Sequence, residues 1–184
     1  MTTSTGLPTV RTLDHVGLTV SDVAVASRFL VDALGFDEVY SYAPENGSGE
    51  LQERQFARHP EARIVRIIAL RLGTLNLELF EFRAPDQRRV MPRSSDWGGV
   101  HLAFYVDALD AAVEHLRSHG AEVLGEPMDL SGPEFGPGNR FIFALAPGGL
   151  TLELITYPEG KAYEHASARR LFDPRTHAPW SATP

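Results

Sequence analysis

Gly73-Thr74-Leu75-Asn76-Leu77-Glu78-Leu79-Phe80 recurs as Gly148-Gly149-Leu150-Thr151-Leu152-Glu153-Leu154-Ile155. Leucines alternate with other residues in both copies, the period of a strand with one aliphatic face. The opposite face of each copy holds one glutamate. Upstream lies a second duplicated stretch, His15-Val16-Gly17-Leu18-Thr19-Val20-Ser21 and His101-Leu102-Ala103-Phe104-Tyr105-Val106-Asp107. Each copy therefore opens on a histidine and closes on a glutamate, both in apolar strands. One His and one Glu per repeat suggest a two-His, two-Glu metal centre built across a pseudo-dyad.

The repeats set the architecture. A strand over 12–20 leads to a helix over 23–34, capped by Ser21 or Asp22, striped by Val23, Ala26, Phe29, Leu30 and Ala33, and stopped by Gly35. The second copy has a strand over 100–106, Asp107 as cap, a helix over 109–118 and Gly120 as stop. Strands over 36–40, 62–72 and 74–82 follow the first helix; strands over 121–124, 140–145 and 150–156 follow the second. The histidines stand 86 residues apart and the glutamates 75. The first copy is thus the longer, and its surplus falls in 41–59, a polar segment with Asn46-Gly47-Ser48-Gly49 that reads as a loop or lid.

The expected divisions are a flexible N-terminus (1–11), a first βαβββ module (12–82), a connector (83–99), a second module (100–157) and a tail (158–184). The tail is expected to wrap the surface with a short helical piece over 163–171. The fold class is α+β: two tandem βαββ(β) modules forming an open, metal-lined mixed β-barrel with helices outside. One such unit leaves half its sheet uncovered, so the pair is expected to fold together.

Composition narrows the function. A net charge of −7 and a pI near 5.5 argue against a nucleic-acid partner, and Arg88, Arg89 and Arg93 read as a solvated loop. With no cysteine, thiolate metal sites and cysteine nucleophiles are excluded. Residues 1–8 lack the pattern of a signal peptide and no apolar run is long enough for a membrane span, so a cytoplasmic protein without a membrane partner is expected.

Glu78 shares its strand face with Asn76 and Phe80, and Glu153 with Thr151 and Ile155; His101 shares its face with Ala103 and Tyr105. A histidine alone in a strand is commonly structural. An ionised glutamate in an apolar strand is harder to explain, because burying it without a partner costs several kcal/mol. Imidazole and carboxylate donors without sulfur suit one divalent Zn, Ni, Co, Mn or Fe ion. Four such donors leave two octahedral positions for substrate oxygens or water.

At these residues, over about 13–157, the chain resembles the vicinal oxygen chelate superfamily of glyoxalase I, methylmalonyl-CoA epimerase, extradiol dioxygenases and fosfomycin or bleomycin resistance proteins. The resemblance implies His15, Glu78, His101 and Glu153 as metal ligands. The combination is most similar to bacterial glyoxalase I; methylmalonyl-CoA epimerases usually carry Gln where Glu78 stands. Pro60-Glu61-Ala62-Arg63-Ile64-Val65-Arg66 resembles the epimerase segment that supplies a non-ligating base, which implies Glu61 in that role. The Gly99–Val106 stretch and Tyr157-Pro158-Glu159-Gly160-Lys161-Ala162-Tyr163-Glu164 also resemble a subgroup containing epimerases of cyclitol ketones such as epi-valiolone.

The implied activity is a metal-dependent epimerase or isomerase, abstracting and returning a proton next to a carbonyl through a metal-chelated enediolate. Glu61 is one candidate base, and Glu78 or Glu153 the other. A small-molecule carbonyl substrate and a homodimer are expected, with barrel closure within one chain or across the dimer left open. Rival readings are a glyoxalase I-type lactoylglutathione lyase, an Fe(II)-dependent ring-cleaving dioxygenase and a non-catalytic antibiotic-binding protein.

Overall fold

The leucine alternation that defines the repeat builds the two central strands of the molecule, whose computed structural model describes residues 8–177. In chain order the elements are β1 (Val16–Thr19), α1 (Val23–Leu34), β2 (Asp37–Tyr42), α2 (Gly49–Phe56), β3 (Arg63–Leu72), β4 (Leu75–Arg83), β5 (Leu102–Tyr105), α3 (Leu109–Ser118), β6 (Glu122–Asp129), β7 (Arg140–Ala146), β8 (Leu150–Thr156) and α4 (Tyr163–Ala166). They form two open four-stranded sheets of identical topology, β1-β4-β3-β2 and β5-β8-β7-β6. In each, the first strand runs parallel to the last and the other pairs are antiparallel. The α+β pair of repeated modules is as expected. Residues 1–7 of the expected flexible arm and 178–184 of the expected tail lie outside the described residues.

Several local expectations are corrected. Residues 41–59 are not all loop: β2 runs into them and α2 occupies their middle. Ser48 Oγ accepts the Leu51 N–H at the start of α2, Gln52 is buried, and Glu50 pairs with Arg54 at 3.1 Å one turn on. Asp22 caps α1 as expected, accepting from the N–H groups of Ala24 and Val25. Asp107 does not cap α3, which starts after Ala108 without a side-chain cap. The 12–20 strand shortens to β1, leaving His15 immediately ahead of it; His101 likewise precedes β5. The tail's helical piece is only the one-turn α4.

Helices α1 and α3 and the backs of both sheets share one core. Leu18, Phe29, Leu30, Leu77 and Leu79 of the first half belong to the same buried cluster as Leu109, Val113, Leu116, Leu152 and Leu154 of the second. Each leucine so buried contributes about 1.5–3 kcal/mol. Phe36 meets Phe104 edge to face at 6.2 Å, and His115 Nε2 donates to the Ala33 carbonyl at 3.0 Å. The β7–β8 turn locks the halves: Gly148 O accepts from both Ser21 N–H and Ser21 Oγ at 3.0 Å. Among the described residues no helix is long and apolar enough to cross a membrane.

Candidate metal centre

With Leu77, Leu79, Leu152 and Leu154 turned into the core, alternation puts Glu78 and Glu153 on the opposite sheet faces. The register makes the two positions equivalent. Across the first sheet the row reads Gly17, Glu78, Ala69, Tyr40; across the second it reads Ala103, Glu153, Phe143, Leu124. His15 and His101 stand two residues before Gly17 and Ala103, so each meets the glutamate of its own sheet. His15 Nε2 lies 3.5 Å from Glu78 Oε2, and His101 Nε2 lies 3.1 Å from Glu153 Oε2. Both carboxylates are mostly covered, their side chains 20% and 13% exposed.

Each imidazole is oriented by a different neighbour. Asp14 Oδ2 contacts His15 Nδ1 at 2.7 Å, and Asn76 Nδ2 donates to the Asp14 carbonyl at 2.9 Å, fixing the backbone that carries both residues. A carboxylate on the far nitrogen fixes a ring so that Nε2 is presented as a ligand. His101 instead packs on the edge of Phe143, centroids 5.3 Å apart. The Asp14 hydrogen bond raises the His15 pKa above its usual value; burial opposes this, and the Glu78 charge adds to it. Burial raises the Glu153 pKa, against the attraction of His101; the charge of Glu134 adds to the rise and that of Lys161 opposes it.

The pair geometry fits a cation. Two donors about 2.1 Å from one divalent ion lie about 3.0 Å apart at a right angle and about 3.4 Å apart at a tetrahedral one. The Nε2–Oε2 separations of 3.1 and 3.5 Å match this, and imidazole with carboxylate is a donor set for Zn, Ni, Co, Mn or Fe. Within one chain, however, the two pairs do not meet. Among the described residues no three His, Asp or Glu side chains gather as a complete metal site would require. His15 and Glu78 open into a cleft of about 300 Å³ with Asp14, Tyr40 and Asn76. His101 lies in another, of about 180 Å³, beside Gly17 and Thr19 of β1.

Glu61 stands exposed at the turn before β3, its N–H donating to His59 Nδ1 at 3.0 Å; its carboxylate does not line the clefts holding His15 or His101. Arg93 pairs with Asp96, as a solvated loop would allow, but Arg88 borders an opening of about 640 Å³ on the first sheet's ligand face. That opening also holds Arg58 and His59, residues hidden from sequence reasoning because α2, which positions them, reads as loop. A second cluster surrounds Tyr157, which follows Glu153 and Ile155 on one strand face. Tyr105 meets it at 4.8 Å, and the Lys161 ammonium lies 4.5 Å over its ring while pairing with Glu134. Lys161 is the chain's only lysine and is buried, a signal visible in its rarity.

Known proteins place this geometry in a family. The model of the "Glyoxalase/Bleomycin resistance protein/Dioxygenase superfamily" matches residues 12–154. A 2-epi-5-epi-valiolone epimerase of Actinomyces sp is 40% identical, the match covering 94% of this chain and 93% of that one. The Escherichia coli protein YaeR is 34% identical over 79% of this chain and 95% of its own length. Among solved structures, a glyoxalase family protein of Bacillus cereus superposes with a TM-score of 0.60 at 20% identity, covering 82% of this chain and 98% of that one. The chain, with its paired sheets and duplicated His–Glu positions, belongs to the glyoxalase/bleomycin resistance/dioxygenase superfamily.

Proposed function

We propose that this protein is an epimerase of a small carbonyl compound, dependent on one divalent cation held by His15, Glu78, His101 and Glu153. The observation that carries the reading is the His–Glu pair repeated at the same register position of two sheets, at ligand-to-ligand spacing in both. The relative named as a 2-epi-5-epi-valiolone epimerase supports epimerisation over the other chemistries of the superfamily. When bound, the cation supplies Lewis-acid stabilisation of the substrate oxygen next to the reacting carbon.

The protein's own groups do the rest. Asp14 holds His15 in one orientation. Glu78 or Glu153 takes the proton from the carbon beside the carbonyl, and the facing carboxylate returns it from the other side; two carboxylates on opposite faces of a planar intermediate allow either configuration to form. Glu61, exposed and outside both clefts, does not take this role. The aromatic companions Phe80 and Phe143 keep bulk water from the reacting carbon.

Because one chain offers two half-centres, a second copy is proposed to complete each, the first module of one chain facing the second module of its partner. The ligand rows end in exposed apolar side chains, Tyr40 at 52% and Leu124 at 42%, on the edge strands β2 and β6. Met128, further along β6, is exposed as well. Apolar faces of this kind are usually covered by a partner.

The reaction is tested by incubating the metal-loaded protein with a panel of 2-hydroxy ketones and cyclitol ketones in deuterated water. Solvent deuterium at the carbon beside the carbonyl, with inversion there, is expected. Turnover of a methylglyoxal–glutathione hemithioacetal without such exchange, or oxygen uptake, would replace the reading.

A further inference from the structure

The first sheet carries more than its His–Glu pair. Beyond Gly17 and Glu78 the same face continues through Thr19, Phe80 and Phe82 as the floor of a cleft of about 640 Å³. Phe80 and Phe82 stack at 5.5 Å with planes 15° apart, a flat apolar floor. The wall is cationic. The Arg58 guanidinium lies 4.6 Å from the Phe56 ring and 4.8 Å from the Phe82 ring, held by both.

Stacking occupies the faces of a guanidinium and leaves its N–H donors free at the edge. Arg58 is half-buried, yet among the described residues it makes no ion pair, whereas arginines removed from water usually have a carboxylate partner. Arg88 adds a second cation at the rim. The acidic group in the wall, Asp86, faces His59 Nε2 at 3.8 Å. His59 accepts the Glu61 N–H at Nδ1, so its proton sits on Nε2 and points toward Asp86. The acid is thus directed at the histidine, and the arginine edge is left for a ligand.

We propose that this cleft is an oxyanion subsite in which Arg58, assisted by Arg88, grips a phosphate or carboxylate carried by the carbonyl substrate. This rests on His15 and Glu78 belonging to the reaction centre. Two to four residues along a strand separate that centre from the subsite, about 7–13 Å, the span of a sugar-sized skeleton lying on Phe80 and Phe82. A planar guanidinium with two parallel donors suits such a group.

The test titrates the metal-free wild-type protein at constant ionic strength with inorganic phosphate and, separately, with acetate, following binding by NMR shifts. Metal-free protein keeps the outcome independent of the cation: Glu78→Gln should bind the anion as wild type does even though it fails to load metal. Saturable binding weakened at least tenfold in Arg58→Met and in Arg88→Gln, and unchanged in Arg117→Gln on α3, is the expected result. The tighter of the two anions identifies the substrate's group. Met keeps the packing between the phenyl rings, and Arg58→Lys serves if the Met variant does not fold, with the same tenfold loss expected because lysine lacks the fork. Binding that neither Arg58 nor Arg88 variants weaken, or no saturable binding of either anion, overturns the proposal.

Discussion

Replacing Gly148 with alanine tests whether the β7–β8 turn is the clasp between the repeats. Gly148 has φ of +85°, and a Cβ there would lie 2.6 Å from Ala26 Cβ and 2.7 Å from Ala26 Cα and N on α1. The left-handed backbone costs an L-residue about 1–2 kcal/mol. The clash with helix backbone, which no rotamer relieves, adds about 1–3 kcal/mol. Moving the turn also strains the two hydrogen bonds that Ser21 makes to Gly148 O. A loss of about 2–5 kcal/mol lowers Tm by about 5–20 °C in a chain of this size. Gly132→Ala isolates the backbone contribution: φ there is +59° and nothing stands within 4 Å of an added Cβ. Thermal melts of the metal-free variants should show the larger drop for Gly148→Ala. A drop below about 2 °C, or one equal to that of Gly132→Ala, refutes the close approach as the source of the effect.

Alkaline titration should find Tyr157 ionising late, because burial pushes it up to about 12, with the Asp173 charge adding and Arg175 opposing. Its folded pKa exceeds the unfolded value, so its stabilising contribution is full below about pH 10 and is lost as pH rises through about 12; Tyr157→Phe should therefore remove the late phase in absorbance and resist alkaline unfolding longer than wild type. For His15, Asp14→Asn should lower the imidazole pKa in an NMR titration of the metal-free protein, since the Asp14 hydrogen bond is the chief cause of its elevation. An unchanged His15 titration would show that Asp14 does not hold the ring.

Strand alternation in the leucine-rich repeat was enough to give the central strands, the equivalent faces of Glu78 and Glu153, and the histidine of each half, because period-two burial and register follow directly from side-chain order. Asp22 was legible as a cap from its place before an apolar stripe. The symmetric expectation for Asp107 failed because a cap depends on backbone geometry, and there Ala108 intervenes with φ of −128° and ψ of 88°. Helix α2 was hidden: its one buried side chain is Gln52, so it lacks the apolar stripe that identifies α1. Arg58, whose position depends on α2 and on Phe82 of a distant strand, was hidden with it. Nor does the repeat say how the halves face one another, since that is set by interdigitation in the shared core rather than by any local pattern.

The most direct test of the account is metal loading of wild type, Glu78→Gln, Glu153→Gln and an equimolar, refolded mixture of the two variants. One divalent ion per wild-type chain is expected, with loading lost from each variant alone. If the first module of one chain and the second module of its partner share an ion, random mixing restores about one ion per four chains, because each mixed dimer regains one intact quartet. Full loading of both single variants would contradict the glutamates as ligands, and a mixture that recovers nothing would contradict a centre shared between chains.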